Sequence, residues 1–304
     1  MELWLDGGKL VARERWEKCI ARLSSEQGTG YPSHASSLDA VQGSLLCAVQ
    51  KRISREKFGI FLSGGVDSSL LALLAQRLQG HFTCYTVGFF EEGMKEPDDV
   101  VFARRVAKEF GFPLQLKVFG MAAVERLVQR AVHVLRPVGL AVPVHSGVAS
   151  VIIAASELAQ KDDITVFLGG LGSEEIFGGY HRHTKAADVQ VECWAGLQKM
   201  WITDLQRDAA LGHALGIEVR TPFLDQELIA TAMRVPGAYK VRGNERKVIL
   251  REAAEELGLL HDVAWRKKQA AQYGSSFDKM LEKLARKRGF SGKGEYLESL
   301  SSSN

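Results

Sequence analysis

Phe58-Gly59-Ile60-Phe61-Leu62-Ser63-Gly64-Gly65-Val66-Asp67-Ser68-Ser69-Leu70 passes from a short apolar run, through two glycines, into a stretch rich in Leu and Ala. The run reads as a buried strand and Ser69 to Leu78 as a helix, so the glycines lie on a strand-to-helix turn. Such a turn gathers backbone N–H groups at the positive end of a helix, where an oxyanion is favoured. Gly64 and Gly65 let the backbone approach a phosphate without a Cβ clash, and Ser63, Ser68 and Ser69 add hydroxyl donors. Asp67 is out of place beside phosphate unless a cation intervenes, which points to Mg²⁺ between its carboxylate and the phosphate oxygens. The lysine of GxxxxGK[ST] is missing, which argues against phosphoryl transfer of the P-loop kind.

Working outward, Phe82 to Gly88 reads as a second strand, Leu114 to Val118 as a third and Ile164 to Leu168 as a fourth, with the sheet expected to end there. Between them lie helical patterns at Asp98 to Phe110, Ala122 to Leu135 and Gly147 to Gln160. This alternation predicts an α/β fold, a parallel sheet flanked by helices. The fourth strand runs into a second glycine-rich loop, Gly169-Gly170-Leu171-Gly172-Ser173. From Val189 helical patterns dominate (193–215, 226–233, 245–257, 276–288), so a mainly helical C-terminal half is expected to pack on the sheet. Before the sheet, 10–24 and 38–51 look helical, joined by a loop at 25–37. The expected organisation is an N-terminal helical and loop extension over 1–40, a nucleotide-binding domain over 41–290 and a flexible tail over 291–304. The tail is read from four serines among its last six residues.

Composition narrows the function classes. Thirty-nine basic side chains against 36 acidic ones give a net charge of +3, too even to imply a nucleic-acid coat or a membrane surface. Cys19, Cys47, Cys84 and Cys193 form no CxxC pair or zinc-type cluster and read as buried, reduced thiols. The N-terminus carries no basic then apolar leader pattern, so a cytoplasmic location is expected. The most apolar stretch, Val138 to Ala155, is interrupted by Gly139, Pro143 and His145 and reads as a core helix entered after Pro143.

Ser63-Gly64-Gly65-Val66-Asp67-Ser68 resembles the SGG[LIV]DS loop of the N-type ATP pyrophosphatases, the adenine-nucleotide alpha-hydrolase-like enzymes that transfer AMP to an oxygen of their substrate. Four further segments are similar to the synthetase domain of asparagine synthetases: Gly170-Leu171-Gly172-Ser173-Glu174-Glu175-Ile176-Phe177-Gly178-Gly179-Tyr180, the span from Asp204 to Gly216-Ile217-Glu218-Val219-Arg220-Thr221-Pro222-Phe223-Leu224-Asp225, Lys247-Val248-Ile249-Leu250-Arg251-Glu252, and Val263-Ala264-Trp265-Arg266-Lys267-Lys268. Their order and rough spacing agree with the family, and together they cover about residues 40–280.

The resemblance implies an ATP-dependent amide or C–N ligase that adenylates a carboxylate, releases pyrophosphate and passes the acyl group to an amine or ammonia. It implies ATP and Mg²⁺, with Leu62, Ser63, Gly64, Gly65, Asp67, Ser68, Ser69, Val87 and Gly170 around the nucleotide and pyrophosphate. Asp67 and Glu174 would hold the metal. Lys247 and Glu174 take catalytic positions, Lys247 as the cation that balances charge on departing pyrophosphate. Asp204 is a candidate base, and Arg220 either binds an acidic co-substrate or braces Asp225.

Three departures accompany these matches. No glutaminase domain precedes the first loop, so ammonia would come from solution or from a separate amidotransferase subunit. Leu171 stands where the family has a glutamate proposed to help deprotonate the amine, and a branched alkyl group can neither accept a proton nor hold charge. Glu174 replaces the family's aspartate, reaching one methylene further. A second reading is an RNA-modifying pyrophosphatase that adenylates a base carbonyl. It draws on 14 Lys/Arg against 8 Asp/Glu between Pro236 and Glu295, although clusters such as Arg266-Lys267-Lys268 are more often solvated helix ends. A nucleotide-binding regulatory pseudoenzyme is a third reading, opposed by retention of Asp67, Glu174 and Lys247. His181 and His183 flank Arg182, but spacing supplies no third metal ligand.

Overall fold

The computed structural model describes residues 2–267 and 269–302. A small hairpin of β1 (Leu5–Asp6) and β2 (Lys9–Leu10) precedes helices α1 (Arg13–Ser25) and α2 (His34–Gln50). Ser33 opens α2 with a reciprocal cap in which its hydroxyl accepts from the Ser36 N–H at 3.1 Å. Then β3 (Phe58–Phe61), α3 (Val66–Arg77), β4 (Phe82–Phe89), α4 (Asp98–Phe110), β5 (Leu114–Phe119), α5 (Met121–Leu135), α6 (Pro143–Ala159) and β6 (Val166–Leu168) follow in alternation. The helix expected after Pro143 therefore begins at that proline, whose missing N–H is harmless in a first turn.

The sheet has five parallel strands in the order β5-β4-β3-β6-β7, where β7 is Glu218–Arg220. β7 corrects the expectation that the sheet ends at the fourth strand. Three residues reading Glu-Val-Arg carry no alternation signal, and only pairing with β6 makes them a strand. One hydrophobic core contains Ile60, Leu62, Cys84 and Leu168, the other Tyr85, Val87 and Phe167, so successive strand residues serve opposite faces.

The later elements are α7 (Ser173–Ile176), α8 (Val189–Lys199), α9 (Asp204–Leu215), α10 (Gln226–Arg234), α11 (Gly237–Lys240), β8 (Val241–Arg242), β9 (Glu245–Arg246), α12 (Val248–Glu256), α13 (His261–Ala264), α14 (Ala271–Gly274), α15 (Phe277–Lys287) and α16 (Lys293–Ser302). The single helix expected over 193–215 is two, because Thr203 leaves helical geometry (φ −125°, ψ −89°) before Asp204 starts α9. The helix expected from Glu245 begins at Val248. Glu245–Arg246 pairs instead with Val241–Arg242, and Lys247 takes a left-handed conformation (φ +57°) between hairpin and helix.

One further expectation, the burial of all four cysteines, is corrected, and the C-terminal segment has a defined secondary structure. The tail is helical to Ser302, with Tyr296 and Leu297 buried, because these two side chains supply an apolar anchor inside an otherwise polar segment; Ser303 and Asn304 lie outside the described residues. Of the cysteines, all free, Cys84 and Cys193 are buried, but Cys19 is half-buried and Cys47 exposed. Among the described residues no helix is long and apolar enough to cross a membrane.

Residues 2–40 are locked to the rest of the chain. The buried Arg52 guanidinium donates to Glu2 and Asp225 at 2.8 Å each. Glu2 accepts from the Thr221 N–H and hydroxyl, whose oxygen also accepts from Trp4 Nε1 at 2.9 Å. Asp225 caps α10 through the N–H groups of Glu227 and Leu228. The Pro-Phe-Leu-Asp stretch thus does structural work, tying the N-terminal segment to α10 through a fully paired buried network.

Candidate active site

The strand order reverses at β3 and β6: the chain goes from β3 to β4 on one side, and β6 and β7 lie on the other. In open parallel sheets ligands bind outside the carboxyl ends of the strands at such a point. Both glycine-rich loops leave these two strands, Ser63-Gly64-Gly65 after β3 and Gly169-Gly170 after β6. Sequence-distant loops become neighbours because β3 and β6 pair directly.

The first loop is held in shape by its own side chains and by α4. Ser63 N–H donates to Ser68 Oγ at 3.1 Å, and the two hydroxyls are themselves 3.1 Å apart. Gly64 has φ +71°, and a Cβ there would stand 2.6 Å from the Phe102 carbonyl carbon. Glycine is therefore required twice over, by conformation and by proximity. Ser69 is fully buried.

Lys247 comes to this loop from the helical half. Its Nζ donates to both Asp67 oxygens at 2.8 Å and to Ser173 Oγ at 2.9 Å, and lies 2.8 Å from Glu174 Oε1. Its side chain is 1% exposed. Three of the residues expected at the site, Asp67, Glu174 and Lys247, are thus assembled from α3, α7 and the start of α12. Gly170 also belongs here, since a Cβ on it would lie 3.2 Å from Asp67 Cβ. Gly179 passes so close that a Cβ would overlap Glu174 Oε2 and Lys247 Cε.

Two carboxylates converging on one ammonium suit a hard divalent cation, which takes oxygen ligands and shares them with substrate phosphate. Among the described residues no group of three or more His, Cys, Asp or Glu is arranged as a metal site. His183 is buried and accepts the Tyr180 N–H at Nδ1, and burial, with Arg182 beside it, pushes its pKa down to about 4. Asp67 and Lys247 line a pocket together with Arg251, Arg266 and Lys267. This wall is cationic and fits a polyanion.

The residues expected to face a nucleotide, Leu62 and Val87, lie at strand ends. The β3–β4 ladder ends at the Phe61–Tyr85 pair, while β4 continues to Phe89, so Val87 lies beyond it. Leu62 N–H donates to the Tyr85 carbonyl, and the Leu62 carbonyl accepts from Thr86 Oγ1 at 2.6 Å. Leu62 therefore retains only one carbonyl lone pair.

Asp204 and Arg220 are not among the groups around the Lys247 ammonium. Asp204 accepts from Arg207 Nη1 at 2.7 Å and from Thr203 Oγ1 at 3.0 Å. Burial opposes its charge, but Arg207 and Thr203 outweigh burial and hold its pKa below the usual carboxylate range. Arg220 donates to Glu218 at 2.8 Å and to the Arg52 carbonyl at 3.0 Å. It braces the backbone beside Asp225's partner, Arg52.

Sequence reasoning missed Ser173, Arg266 and Glu175. Ser173 stood in the second motif and Arg266 in a basic cluster read as a solvated helix end; the Arg266 side chain is instead 7% exposed, and Lys268 lies outside the described residues. Glu175 is buried and accepts from the Tyr180 hydroxyl at 2.7 Å, while its Oε2 has no hydrogen-bond partner among the described residues. Burial first, then Asp204, raises its pKa to about 7. A raised carboxyl pKa favours the protonated native form, so its contribution is full below the unfolded value and is lost as pH rises through about 7. Glu175→Gln, which mimics the protonated acid, should leave stability unchanged near pH 4 and raise it by roughly 1–3 kcal/mol at pH 8. Denaturant unfolding at both pH values measures this; an equal effect at both would contradict it.

The asparagine synthase family model matches residues 40–190 and 184–299. The chain belongs to the asparagine synthase family. A putative glutamine-hydrolysing asparagine synthetase of Methanocaldococcus jannaschii is 32% identical over 98% of this chain and 60% of its own length. The glutamine-hydrolysing asparagine synthetase of Gallus gallus is 27% identical over 75% of this chain and 41% of its own. This chain thus spans less than two thirds of the length of either relative. The alignment with a solved NAD+ synthetase from Burkholderia pseudomallei covers 91% of this chain and 97% of that one, at 16% identity and a TM-score of 0.29. Within the family, the Lys247 cluster joins three of its motifs in one ion-paired group.

Proposed function

We propose that this chain is an ATP-dependent C–N ligase that forms AMP and pyrophosphate. The observation that carries the reading is the buried Lys247 ammonium shared by Asp67, Ser173 and Glu174 where the two glycine loops meet. A carboxylate oxygen of the acceptor attacks the α-phosphorus of ATP, and the bond to the α–β bridging oxygen breaks with its electron pair going to pyrophosphate. The Ser63–Ser69 loop binds that pyrophosphate, and Lys247 neutralises charge developing on it. An amine then attacks the acyl carbon, AMP departs, and the amine proton passes to a base. Asp67 and Glu174 would hold Mg²⁺, which when bound supplies charge neutralisation for the phosphates.

Asp204 is the base proposed to take the amine proton, because it stands at an acidic position of the family that this chain resembles, and Arg220 the group proposed to meet an acidic co-substrate. Ammonia, free or from a separate amidotransferase subunit, and small amines are the proposed nucleophiles, in the cytoplasm. A pyrophosphate-release screen against amino acids, with and without ammonia, and against tRNA tests the reading. Acceptor-dependent release supports it, and release dependent only on RNA would favour base modification.

Leu171 sets the acceptor apart. It packs against the core that also holds Phe223 and Leu224, so the position is apolar as well as uncharged. Wild-type protein is expected to make little asparagine from aspartate and ammonia, and Leu171→Glu to raise that rate by about 10²-fold through general-base help. Rapid asparagine formation by the unaltered protein, followed by amino-acid chromatography, would contradict the assignment.

A further inference from the structure

The pyrophosphate loop is gripped from outside by a residue that its own sequence does not announce. Arg266 Nη1 donates to the Ser63 carbonyl at 2.5 Å, and Nη2 donates to Asp99 Oδ1 at 2.9 Å. The guanidinium carbon lies 4.1 Å from the centre of the Phe102 ring. Asp99 is buried in the first turn of α4, and a Cβ on Gly274 would overlap its carboxylate. One planar side chain thus joins the β3–α3 loop and α4 from the segment that follows α13.

The bonded carbonyl belongs to the Ser63–Gly64 peptide. In a planar trans peptide the C=O and the next N–H point in opposite directions, so fixing the Ser63 carbonyl fixes the direction of the Gly64 N–H. Gly64 is at φ +71°, in a region where glycine moves between conformers at little steric cost. Without an anchor, this peptide plane can turn over and present a carbonyl where an anion needs a donor.

We propose that Arg266 is a positioning residue for the pyrophosphate subsite, locking the Ser63–Gly64 peptide in its anion-binding orientation through its bonds to the Ser63 carbonyl and Asp99. The inference rests on the pyrophosphate reading of this loop. It places the control of leaving-group binding partly on a side chain outside the loop itself. Arg is needed because its fork reaches two acceptors at fixed angles while its face packs on Phe102, which a lysine cannot reproduce.

The test is calorimetric binding of Mg-ATP, Mg-pyrophosphate and AMP to the full chain, unaltered and as Arg266→Gln and Arg266→Lys. Arg266→Gln should weaken pyrophosphate and ATP about tenfold or more and leave AMP within about twofold; Arg266→Lys should fall between. If Arg266→Gln does not fold, the Arg266→Lys comparison decides by the same criterion. Unchanged pyrophosphate affinity in a folded variant, or equal weakening of AMP, would overturn the proposal. Failure of the unaltered chain to bind pyrophosphate would instead overturn the assignment of the loop.

Discussion

Lys247→Ala should abolish acceptor-dependent pyrophosphate release almost completely, by about 10³-fold in kcat, the scale on which loss of a preorganised charge at a leaving group is felt. The Lys247 ammonium meets both loop carboxylates and Ser173. Removing it also takes away a buried cation that Asp67 and Glu174 share, so a loss of thermal stability should accompany the kinetic loss. Lys247→Arg separates the two effects: it keeps the charge, but the fork does not fit a space bounded by Gly179 and Glu174. Turnover within tenfold of the unaltered enzyme in a folded Lys247→Ala variant would remove Lys247 from the chemistry.

Asp67→Asn is expected to reduce Mg²⁺-dependent turnover by about 10²-fold or more, because a carboxylate anchor is replaced by a neutral amide of the same shape. The amide oxygen can still accept one bond from Lys247, so the variant should fold. Titration of Mg²⁺ against rate should show the midpoint moved to higher concentration. Equal ATP affinity and surviving turnover at unchanged Mg²⁺ demand would show that Asp67 holds no metal.

The first strand, loop and helix of the sheet were legible because their signals are local. Phe58 to Leu62, two glycines and a Leu-rich helix lie within twenty residues, and the observed β3, loop and α3 follow that reading. The pairing of β3 with β6, which brings the two glycine loops together, is a topological fact with no local trace. β7 escaped notice because three residues cannot show a period. Asp204 and Arg220 are assigned by resemblance, yet each has strong partners of its own nearby, Arg207 for one and Glu218 for the other. The left-handed backbone of Lys247 was invisible, since nothing but the hairpin before it and the helix after it requires φ +57°. Arg266 was misread for a general reason: a run of basic residues looks the same whether its side chains meet water or a buried carbonyl.

The central claim is cleavage of ATP between its α and β phosphates, and product analysis by anion-exchange chromatography tests it directly. With Mg-ATP, ammonia and the acceptor found in the screen, the account predicts equimolar AMP and pyrophosphate, while ADP and inorganic phosphate as the main products would contradict it.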